Sequence, residues 1–322
     1  MKRRSSFKKE RKKTKIVVAT LIVLVAAVTC GVVSYQITAK KIFVNSDKTT
    51  QQSKVATSTD TTDTTDSTDS TDSTDGDTVS YLPLDKDPNA EDATVVAANT
   101  EGIITGTKKY PVRTDGKKVV YLTLDDGPSS ETTQQNLDTL DKFNVKATFF
   151  VTGVGINKEK GNADLLKEIV QKGHAIGNHT YSHNYKILYP NRTIDANAFM
   201  ADVDKCNDTL KSVLGSNFST RVLRFPGGYW SWNGREAIKP ILDQRGYAII
   251  NWNSLSEDAQ GKPKNAQELL ERAKFNTENL GPNADSVVIL MHDTYGKEES
   301  VKALPSIIEY FKSKGFEFKT IK

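Results

Sequence analysis

The stretch KVVYLTLDDGP, residues 118–128, decides the fold of this chain of 322 residues. Residues 118–124 include several β-branched side chains, which favours a strand, and DDGP is a turn signal. The two acidic residues, Asp125 and Asp126, therefore end the predicted strand.

From this strand to the C terminus, predicted strands and helices alternate about seven times. The predicted strands lie at 118–124, 146–151, around Ala175–Ile176, 221–225, 247–251, 286–292 and 316–321, and the predicted helices at 130–142, 162–172, 195–214, 233–244, 265–279 and 299–313. This alternation predicts an α/β fold with a parallel sheet, and the number of strands suits a barrel. The pattern alone does not separate a closed barrel from an open sheet.

Charge is distributed unevenly along the chain. Residues 1–43 carry eleven Lys or Arg and one Glu, a net charge of +10, and residues 44–95 carry three Lys and twelve Asp or Glu, a net charge of −9. Residues 96–322 hold thirty basic and twenty-seven acidic residues, a net charge of +3. Because a nucleic-acid-binding domain needs a basic face, this balance argues against nucleic acid as a partner.

The N-terminal segment predicts a membrane anchor. Residues 1–15 form a tail with nine Lys or Arg, and the twenty-two residues 16–37 carry no charge. At about 1.5 Å per residue, such a helix spans a hydrocarbon core of about 30 Å, and the basic tail places the N terminus in the cytoplasm. We therefore expect a single-pass protein of the cell membrane whose later residues are extracellular. The segment lacks the small-residue site of a cleaved signal peptide, and Thr29 is too large for a lipoprotein site at Cys30.

Residues 38–95 are expected to form a disordered spacer. They contain the repeat TDTTDTTDSTDSTDSTDGD, with Asp at every third position from 60 to 75. Ser, Thr and Asp offer no apolar surface to offset the entropy of ordering, and the like charges extend the chain. Residues 96–322 would then form the folded domain, held away from the membrane.

Ionisable residues collect at the predicted carboxyl ends of strands, where parallel α/β folds carry their functional sites. These residues are Asp125, Asp126, His179, His183, Arg224 and His292. Since four different strand ends supply them, we expect one pocket that gathers all six side chains.

The sequence HTYSH places His179 and His183 at positions i and i+4, one helical turn apart, so that both can bind one metal ion. Thr180 stands where a metalloprotease motif would carry its glutamate base, so the base must come from elsewhere. One carboxylate of Asp125 or Asp126 would complete a three-ligand site with an open position, as in catalytic zinc sites. The other carboxylate would then abstract a proton.

Four motifs of this chain resemble those of a known family. TLDDGP (123–128), HTYSH (179–183), RFPGG (224–228) and the LMH of Leu290–His292 are similar, in this order, to motifs one, two, three and five of the polysaccharide deacetylases of carbohydrate esterase family four. The resemblance covers residues 118–322. It implies a deformed (β/α) barrel that binds a divalent metal ion, most often zinc.

The resemblance implies roles for the ionisable residues. The metal ligands would be Asp126, His179 and His183. Asp125 would act as the general base on the attacking water, and His292 as the general acid that protonates the departing amine. Arg224 would orient Asp125 and keep it ionised, because a neighbouring cation lowers the pKa of a carboxylate.

Four further residues are expected at the substrate. The backbone N–H of Gly227 would help to stabilise the oxyanion, and Leu290 would form part of the apolar wall that receives the acetyl methyl group. Tyr229 and Trp230, with Trp232 nearby, are candidates for stacking on sugar rings. Burial in the core is the equally weighted alternative for these aromatic side chains.

The fourth motif of the family supplies an acidic residue near a Trp, which pairs with the arginine of motif three. Here the region is NWNSLSED, residues 251–258, and Asn251 flanks Trp252 where an Asp is expected. Either Asp258 takes the acidic role, or Arg224 lacks this partner.

Two other side chains are interpreted as structural. His174 lies outside the motifs. Cys206 lies on the apolar face of the helix predicted at 195–214, so a buried packing role is favoured over a reactive one.

The anchor, the spacer and the folded domain together place the expected activity at the cell wall. We therefore expect metal-dependent hydrolysis of N-acetyl groups on peptidoglycan N-acetylglucosamine, with release of acetate. Within the enzyme class, the alternatives are deacetylation of another glycan (chitin-like, xylan or N-acetylmuramic acid) and hydrolysis of O-acetyl esters. The alternative from a different class is a non-catalytic protein that binds the wall.

Overall fold

The computed structural model describes residues 81–109 and 113–322. All of them belong to one unit, Ser73–Lys322. The predicted tail, the predicted anchor at 16–37 and most of the predicted spacer lie outside these residues. Among the helices of the described part, none has both the length and the apolar character needed to span a membrane.

The helices and strands alternate much as predicted. The strands are β1 (Ala90–Glu91), β2 (Val119–Asp125), β3 (Thr148–Val151), β4 (Ala175–Asn178), β5 (Val222–Leu223), β6 (Ala248–Ile249), β7 (Ser254–Leu255), β8 (Ser286–His292), β9 (Glu317–Phe318) and β10 (Thr320–Ile321). The helices are α1 (Ala93–Ile104), α2 (Thr133–Lys142), α3 (Gly153–Lys158), α4 (Asn162–Gln171), α5 (Tyr185–Leu188), α6 (Ala196–Leu214), α7 (Arg235–Gln244), α8 (Ala266–Glu278) and α9 (Glu298–Ser313).

The larger sheet is parallel throughout. Its strands follow the order β6-β5-β4-β3-β2-β8-β7, and β9 pairs with the first residues of β2. β6 and β7 lie at opposite ends of this order, yet only residues 250–253 separate them in the chain. The sheet is therefore curled toward a barrel that stays open between these two strands, and the predicted parallel α/β fold is confirmed.

Strand β2 is buried on both faces. Because side chains alternate along a strand, the even-numbered residues of Val120–Leu124 pack outward against the helices, whereas Tyr121 packs inward. The next inward positions are Thr123 and Asp125, and Asp125 lies opposite His292 on β8. The inner surface of the curl thus changes from apolar to polar toward the carboxyl ends of the strands.

The N-terminal part of the described structure packs into the core. β1 pairs with β10, and the carboxylate of Asp92 accepts a hydrogen bond from the N–H of Thr94 at the start of α1. Ala93 and Val96 of α1 are fully buried among the inward-facing side chains of the sheet. The predicted start of the folded domain at residue 96 therefore falls inside α1 and is too late in the chain. The N-cap Asp92 is the sequence signal that marks the earlier start.

Candidate metal centre and active site

The carboxyl ends of β2, β4, β5 and β8 meet at one rim of the curled sheet. Asp125 ends β2 opposite His292 of β8, and His179 follows the last residue of β4. Arg224 follows β5 directly and reaches across the rim to Asp125. The six ionisable residues predicted at strand ends are thereby brought together.

Asp126 turns the chain at the end of β2. Its φ of 73° lies in the left-handed region, which is uncommon for a residue with a side chain. The turn lets two consecutive carboxylates face the rim, whereas an extended strand would send them to opposite faces. Gly127 follows because a Cβ atom there would lie 2.6 Å from Oδ2 of Asp293.

The two histidines of HTYSH lie on a loop, so the prediction that they stand one helical turn apart is wrong. Thr180 and His183 have φ values of 66° and 50°, which are not helical. Side chains fix the loop instead: Oδ1 of Asn178 accepts from the N–H of Thr180 at 2.8 Å, and Oδ2 of Asp202 accepts from the N–H of Ser182 at 2.8 Å. These hydrogen bonds hold the two imidazole rings 5.0 Å apart between centroids.

Asp126, His179 and His183 converge on one point. Oδ1 of Asp126 lies 3.4 Å from Nε2 of His179 and 3.2 Å from Nε2 of His183, and the three ligand atoms lie within 4.8 Å of one another. A tetrahedral ion with bonds of about 2.0–2.1 Å needs ligand atoms roughly 3.3 Å apart, so the two measured separations fit such an ion. Two imidazoles and one carboxylate are also a donor set of catalytic zinc sites.

The surroundings of the ligands suit a cation as well. Nδ1 of His179 lies 2.8 Å from the carbonyl oxygen of Arg224, which places the ring proton on Nδ1 and the lone pair on Nε2. Burial lowers the pKa of His179 to about 3, so the ring is neutral at physiological pH. Oδ1 of Asp126 is buried and accepts no hydrogen bond from the described residues. A buried carboxylate oxygen beside a neutral imidazole is a position that a divalent ion would satisfy.

Asp125 and Arg224 form a buried ion pair. Nη1 of Arg224 donates to Oδ1 of Asp125 at 2.7 Å and to Oγ1 of Thr123 at 2.8 Å, and Nε donates to the carbonyl of Ile250 at 3.0 Å. The guanidinium lies 3.9 Å from the centre of the Phe150 ring. Burial raises the pKa of Asp125, and the attraction of Arg224 opposes this without reversing it. The predicted contact is therefore present, and Arg224 lowers the pKa of Asp125 as predicted, but burial raises this pKa by more.

Asp258 pairs with His292. Its Oδ1 lies 2.8 Å from Nδ1 of His292, and its Oδ2 accepts from the backbone N–H of His292 and from Oγ of Ser300, both at 2.8 Å. Burial alone would lower the pKa of His292, but the hydrogen bond and charge of Asp258 outweigh it and raise the pKa to about 9. Asp258 therefore does not take the acidic role beside Arg224 that the fourth motif of the family supplies, and Arg224 lacks this partner.

Asp293 is a buried acid of the site that the sequence motifs did not reveal. Three side chains donate to its carboxylate: Thr132 at 2.8 Å, Thr133 at 2.6 Å and Asn136 at 3.0 Å. Its N–H donates to the carbonyl of Asp125 at 2.7 Å, and burial raises its pKa to about 6. Asp293 thus ties the end of β8 to the end of β2 and to the start of α2. The available signal was an acidic residue directly after the strand-end His292.

Tyr185 is a second residue that the motifs did not reveal. Its ring lies 5.3 Å from that of His183 between centroids, and 44% of the residue is exposed. A Cβ atom on Gly227 would lie 3.0 Å from the Tyr185 hydroxyl, so the glycine leaves room for this side chain. In the described part of the chain, neither the Tyr185 hydroxyl nor the N–H of Gly227 has a hydrogen-bond partner. Both groups are therefore available to a ligand beside the metal centre.

The other predicted substrate contacts differ in exposure. Tyr229 and Trp232 are buried, at 5% and 8%, whereas Trp230 is 39% exposed. Of these three aromatic residues, only Trp230 presents a broad face to solvent. Leu290 is buried on β8 two residues before His292, and strand alternation places both side chains on the inward face.

A cavity of about 360 Å³ opens beside the metal centre. Asp126 and His183 line it, together with residues from the segments 152–158 and 294–295. Small-molecule pockets commonly measure about 300–1,000 Å³, so a small ligand or one group of a larger ligand can enter.

His174 and Cys206 are structural, as predicted. Nδ1 of the fully buried His174 accepts a hydrogen bond from the N–H of Ala147 at 3.1 Å, and burial lowers its pKa to about 3. Cys206 is fully buried on α6, and burial raises the pKa of its thiol to about 12. Neither side chain is available for reaction at neutral pH.

Comparison with known proteins connects this geometry to a family. The family profile described as polysaccharide deacetylase matches residues 112–241, which end before Asp258 and His292. A CE4 esterase of Streptococcus mutans is 32% identical with a TM-score of 0.64, over 73% of this chain and 92% of that one. The catalytic domain of a peptidoglycan N-acetylglucosamine deacetylase from Eubacterium rectale is 31% identical with a TM-score of 0.56, over 65% and 91%.

The similarity to curated proteins covers part of each relative. A peptidoglycan-N-acetylglucosamine deacetylase of Bacillus cereus is 32% identical over 194 residues, which is 59% of this chain and 62% of the relative. The chain thus spans less than two thirds of the length of this relative.

Proposed function

This chain belongs to the polysaccharide deacetylase family, and from this premise we propose that it hydrolyses the N-acetyl groups of peptidoglycan N-acetylglucosamine and releases acetate. One observation carries the proposal: Asp125 and His292 end neighbouring strands, beside three ligands that suit one divalent ion. The substrate is supported by two similar proteins that are named peptidoglycan N-acetylglucosamine deacetylases.

Asp125 is the proposed general base. Arg224 binds its Oδ1 at 2.7 Å, while Oδ2 lies 3.6 Å from Nε2 of His179, on the side of the metal centre. A carboxylate with a raised pKa takes a proton from water more readily than an ordinary one. The remaining hydrogen bonds of Arg224, to Thr123 and Ile250, keep the guanidinium and hence the base in place.

His292 is the proposed general acid. With a pKa of about 9, the ring is protonated at neutral pH. Nδ1 donates to Asp258, so Nε2 carries the proton that is delivered to the departing sugar amine. Asp125 takes one proton from the attacking water and His292 supplies one to the amine, so the products are acetate and a free amino sugar.

Asp126, His179 and His183 are the proposed ligands of a divalent ion, with zinc favoured by the donor set. When bound, such an ion supplies a Lewis acid that polarises the amide carbonyl and lowers the pKa of water. The N–H of Gly227 is proposed to donate a hydrogen bond to the oxyanion, because it has no hydrogen-bond partner within the described structure. Leu290 lies on the same inward face as His292, where it can receive the acetyl methyl group.

Acetate release from purified peptidoglycan by the full-length protein, with and without zinc, tests the proposal. We expect metal-dependent release, and a matching loss of acetyl mass from the muropeptides. A His183→Ala variant should bind zinc less tightly and release less acetate. Release only from chitooligosaccharide or acetyl-xylan would contradict the substrate, and binding to the wall without release would contradict the activity.

We also propose that residues 16–37 anchor the protein in the cell membrane, with residues 38–322 outside the cell. The proposal rests on the uncharged segment and on the tail of residues 1–15, which carries nine Lys or Arg and one Glu. Protease treatment of intact cells tests it. The folded domain should be degraded from outside, and the N-terminal fragment that remains should stay in the membrane fraction. A domain that is protected until the cells are lysed would overturn this topology.

A further inference from the structure

One wall of the cavity beside the metal centre carries a positive charge. Lys158 ends α3, and its side chain lines the same cavity as Asp126 and His183. Within the described structure, Lys158 is the only Lys or Arg in that lining.

The position of the Lys158 ammonium group is defined by contacts with neighbouring side chains. Its Nζ lies 3.0 Å from the centre of the Tyr295 ring, a cation–π contact. Tyr295 is itself held, because its hydroxyl accepts a hydrogen bond from Nδ2 of Asn162 at 3.1 Å. Asn162 is fully buried and also donates to the carbonyl of Gly155 at 2.7 Å. The charge is therefore placed at the cavity by a chain of contacts that reaches into the core.

Lys158 has no counter-ion in the part of the chain that the structure describes. No carboxylate there lies within the ion-pair distance of 4.0 Å from its Nζ. The adjacent Glu159 accepts a hydrogen bond from Ser130 at 2.6 Å, and this bond and one from Tyr295 lower its pKa more than the charge of Lys158 does. The ammonium group of Lys158, at the edge of the proposed active site, can thus pair with an anionic ligand.

We propose that Lys158 and Tyr295 form a subsite for an anionic substituent, which binds a carboxylate carried by the sugar next to the one that is deacetylated. The proposal rests on the proposed function and narrows its substrate class to acidic glycans. Muramic acid carries a free lactyl carboxylate where no peptide is attached, and the carboxylates of the peptide where one is attached, whereas chitin carries none. The ring of Tyr295 offers an apolar surface beside the cation, as a lactyl or peptide substituent needs.

The test compares one muropeptide with the same muropeptide after its carboxyl groups have been amidated. We expect the full-length wild-type protein to favour the acidic form. Lys158→Met should lower kcat/KM for the acidic form about two- to fivefold, through KM, since exposed ion pairs have modest effects. In Lys158→Met, kcat/KM should fall less for the amidated form than for the acidic form, and high salt should reduce the preference of the wild type.

Matched variants separate the charge from the local structure. Lys160→Met removes the same charge from an exposed residue that does not line the cavity, and should leave the preference unchanged. Lys158→Arg should retain the preference. An equal loss on both substrates in Lys158→Met, or a preference that persists in this variant, would overturn the subsite.

Binding distinguishes a failure of the subsite from a failure of the proposed function. If the wild type releases no acetate from either muropeptide, the proposed function is overturned. Calorimetric binding of the same two muropeptides to an Asp125→Asn background still decides the subsite. Tighter binding of the acidic form that Lys158→Met abolishes supports it, and equal binding of the two forms rejects it.

Discussion

The active site has two halves that differ in burial. The inner half consists of Asp125, Arg224, Asp258, His292 and Asp293, and the outer half of Val154, Lys158, His183, Tyr185 and Tyr295. Arg224 and Asp293 are completely buried, whereas Tyr185 and Val154 are 44% and 41% exposed.

The two halves also differ in what holds them. Inner residues end strands or contact strand ends directly, and the register of β2 with β8 fixes their separation. Outer residues lie on the loops after β4 and β8 or on the short helices α3 and α5. The comparison teaches that the groups proposed for proton transfer have partners fixed by the sheet, whereas those proposed for substrate recognition lie on loops and short helices. Substitutions in the inner half should therefore change kcat or its pH dependence. In the outer half, substitutions other than those of the proposed metal ligand His183 should mainly change KM and substrate preference.

The largest effect is expected for Asp125→Asn. The amide keeps an acceptor for Arg224 but no longer takes a proton, so kcat should fall by about 10²- to 10⁴-fold. Acetate release at saturating substrate measures this, and zinc binding should persist because Asp126, His179 and His183 are unchanged. A thermal melt controls for the charge left unpaired on the buried Arg224. A fall in kcat of less than tenfold would show that Asp125 is not the general base. The proposed division between the inner and outer halves would then not hold.

The next effect is a shift in pH dependence on Asp258→Asn. The carboxylate of Asp258 favours the protonated form of His292, so its neutralisation should lower the pKa of His292 from about 9. The basic limb of the profile of kcat/KM against pH should then move to lower pH, toward the ordinary histidine value of about 6.5.

The neighbouring acid provides the control for this shift. Glu257→Gln removes a carboxylate that pairs with Arg272 at 2.5 Å, so it should leave the basic limb in place. If Asp258→Asn also leaves the limb in place, His292 is not the group that titrates there.

The smallest effect is expected in the outer half, for Tyr185→Phe. The ring still packs against His183 and Trp232, but one hydroxyl near the metal centre is lost. A neutral hydrogen bond contributes about 1 kcal/mol, so kcat/KM should fall roughly fivefold with zinc affinity unchanged. Tyr189→Phe is the matched control, since the buried Tyr189 hydroxyl has no hydrogen-bond partner in the described residues. Equal activity of Tyr185→Phe and wild type would show that this hydroxyl does not contact the substrate.

The buried apolar pattern made the strands and their polar ends predictable. Residues 118–124 were predicted as a strand because of their β-branched side chains, and β2 is found at Val119–Asp125. The position of the six ionisable residues follows from this, because the carboxyl ends of parallel strands share one rim. The spacing of HTYSH predicted that His179 and His183 lie close together, and they do. The predicted helical turn is absent, because hydrogen bonds from polar side chains hold the two rings together on a loop.

By itself, the sequence determined the parallel α/β fold, the order of its elements and the group of ionisable residues at the strand ends. These depend on local patterns of apolar, polar and turn residues. Only the tertiary structure decided that Asp258 pairs with His292, that Asp293 links β8 to α2, and that Lys158 and Tyr185 border the metal centre. Such contacts join residues that are far apart in the chain or on loops without periodicity, and their energies depend on burial, which exists only after the sheet has curled.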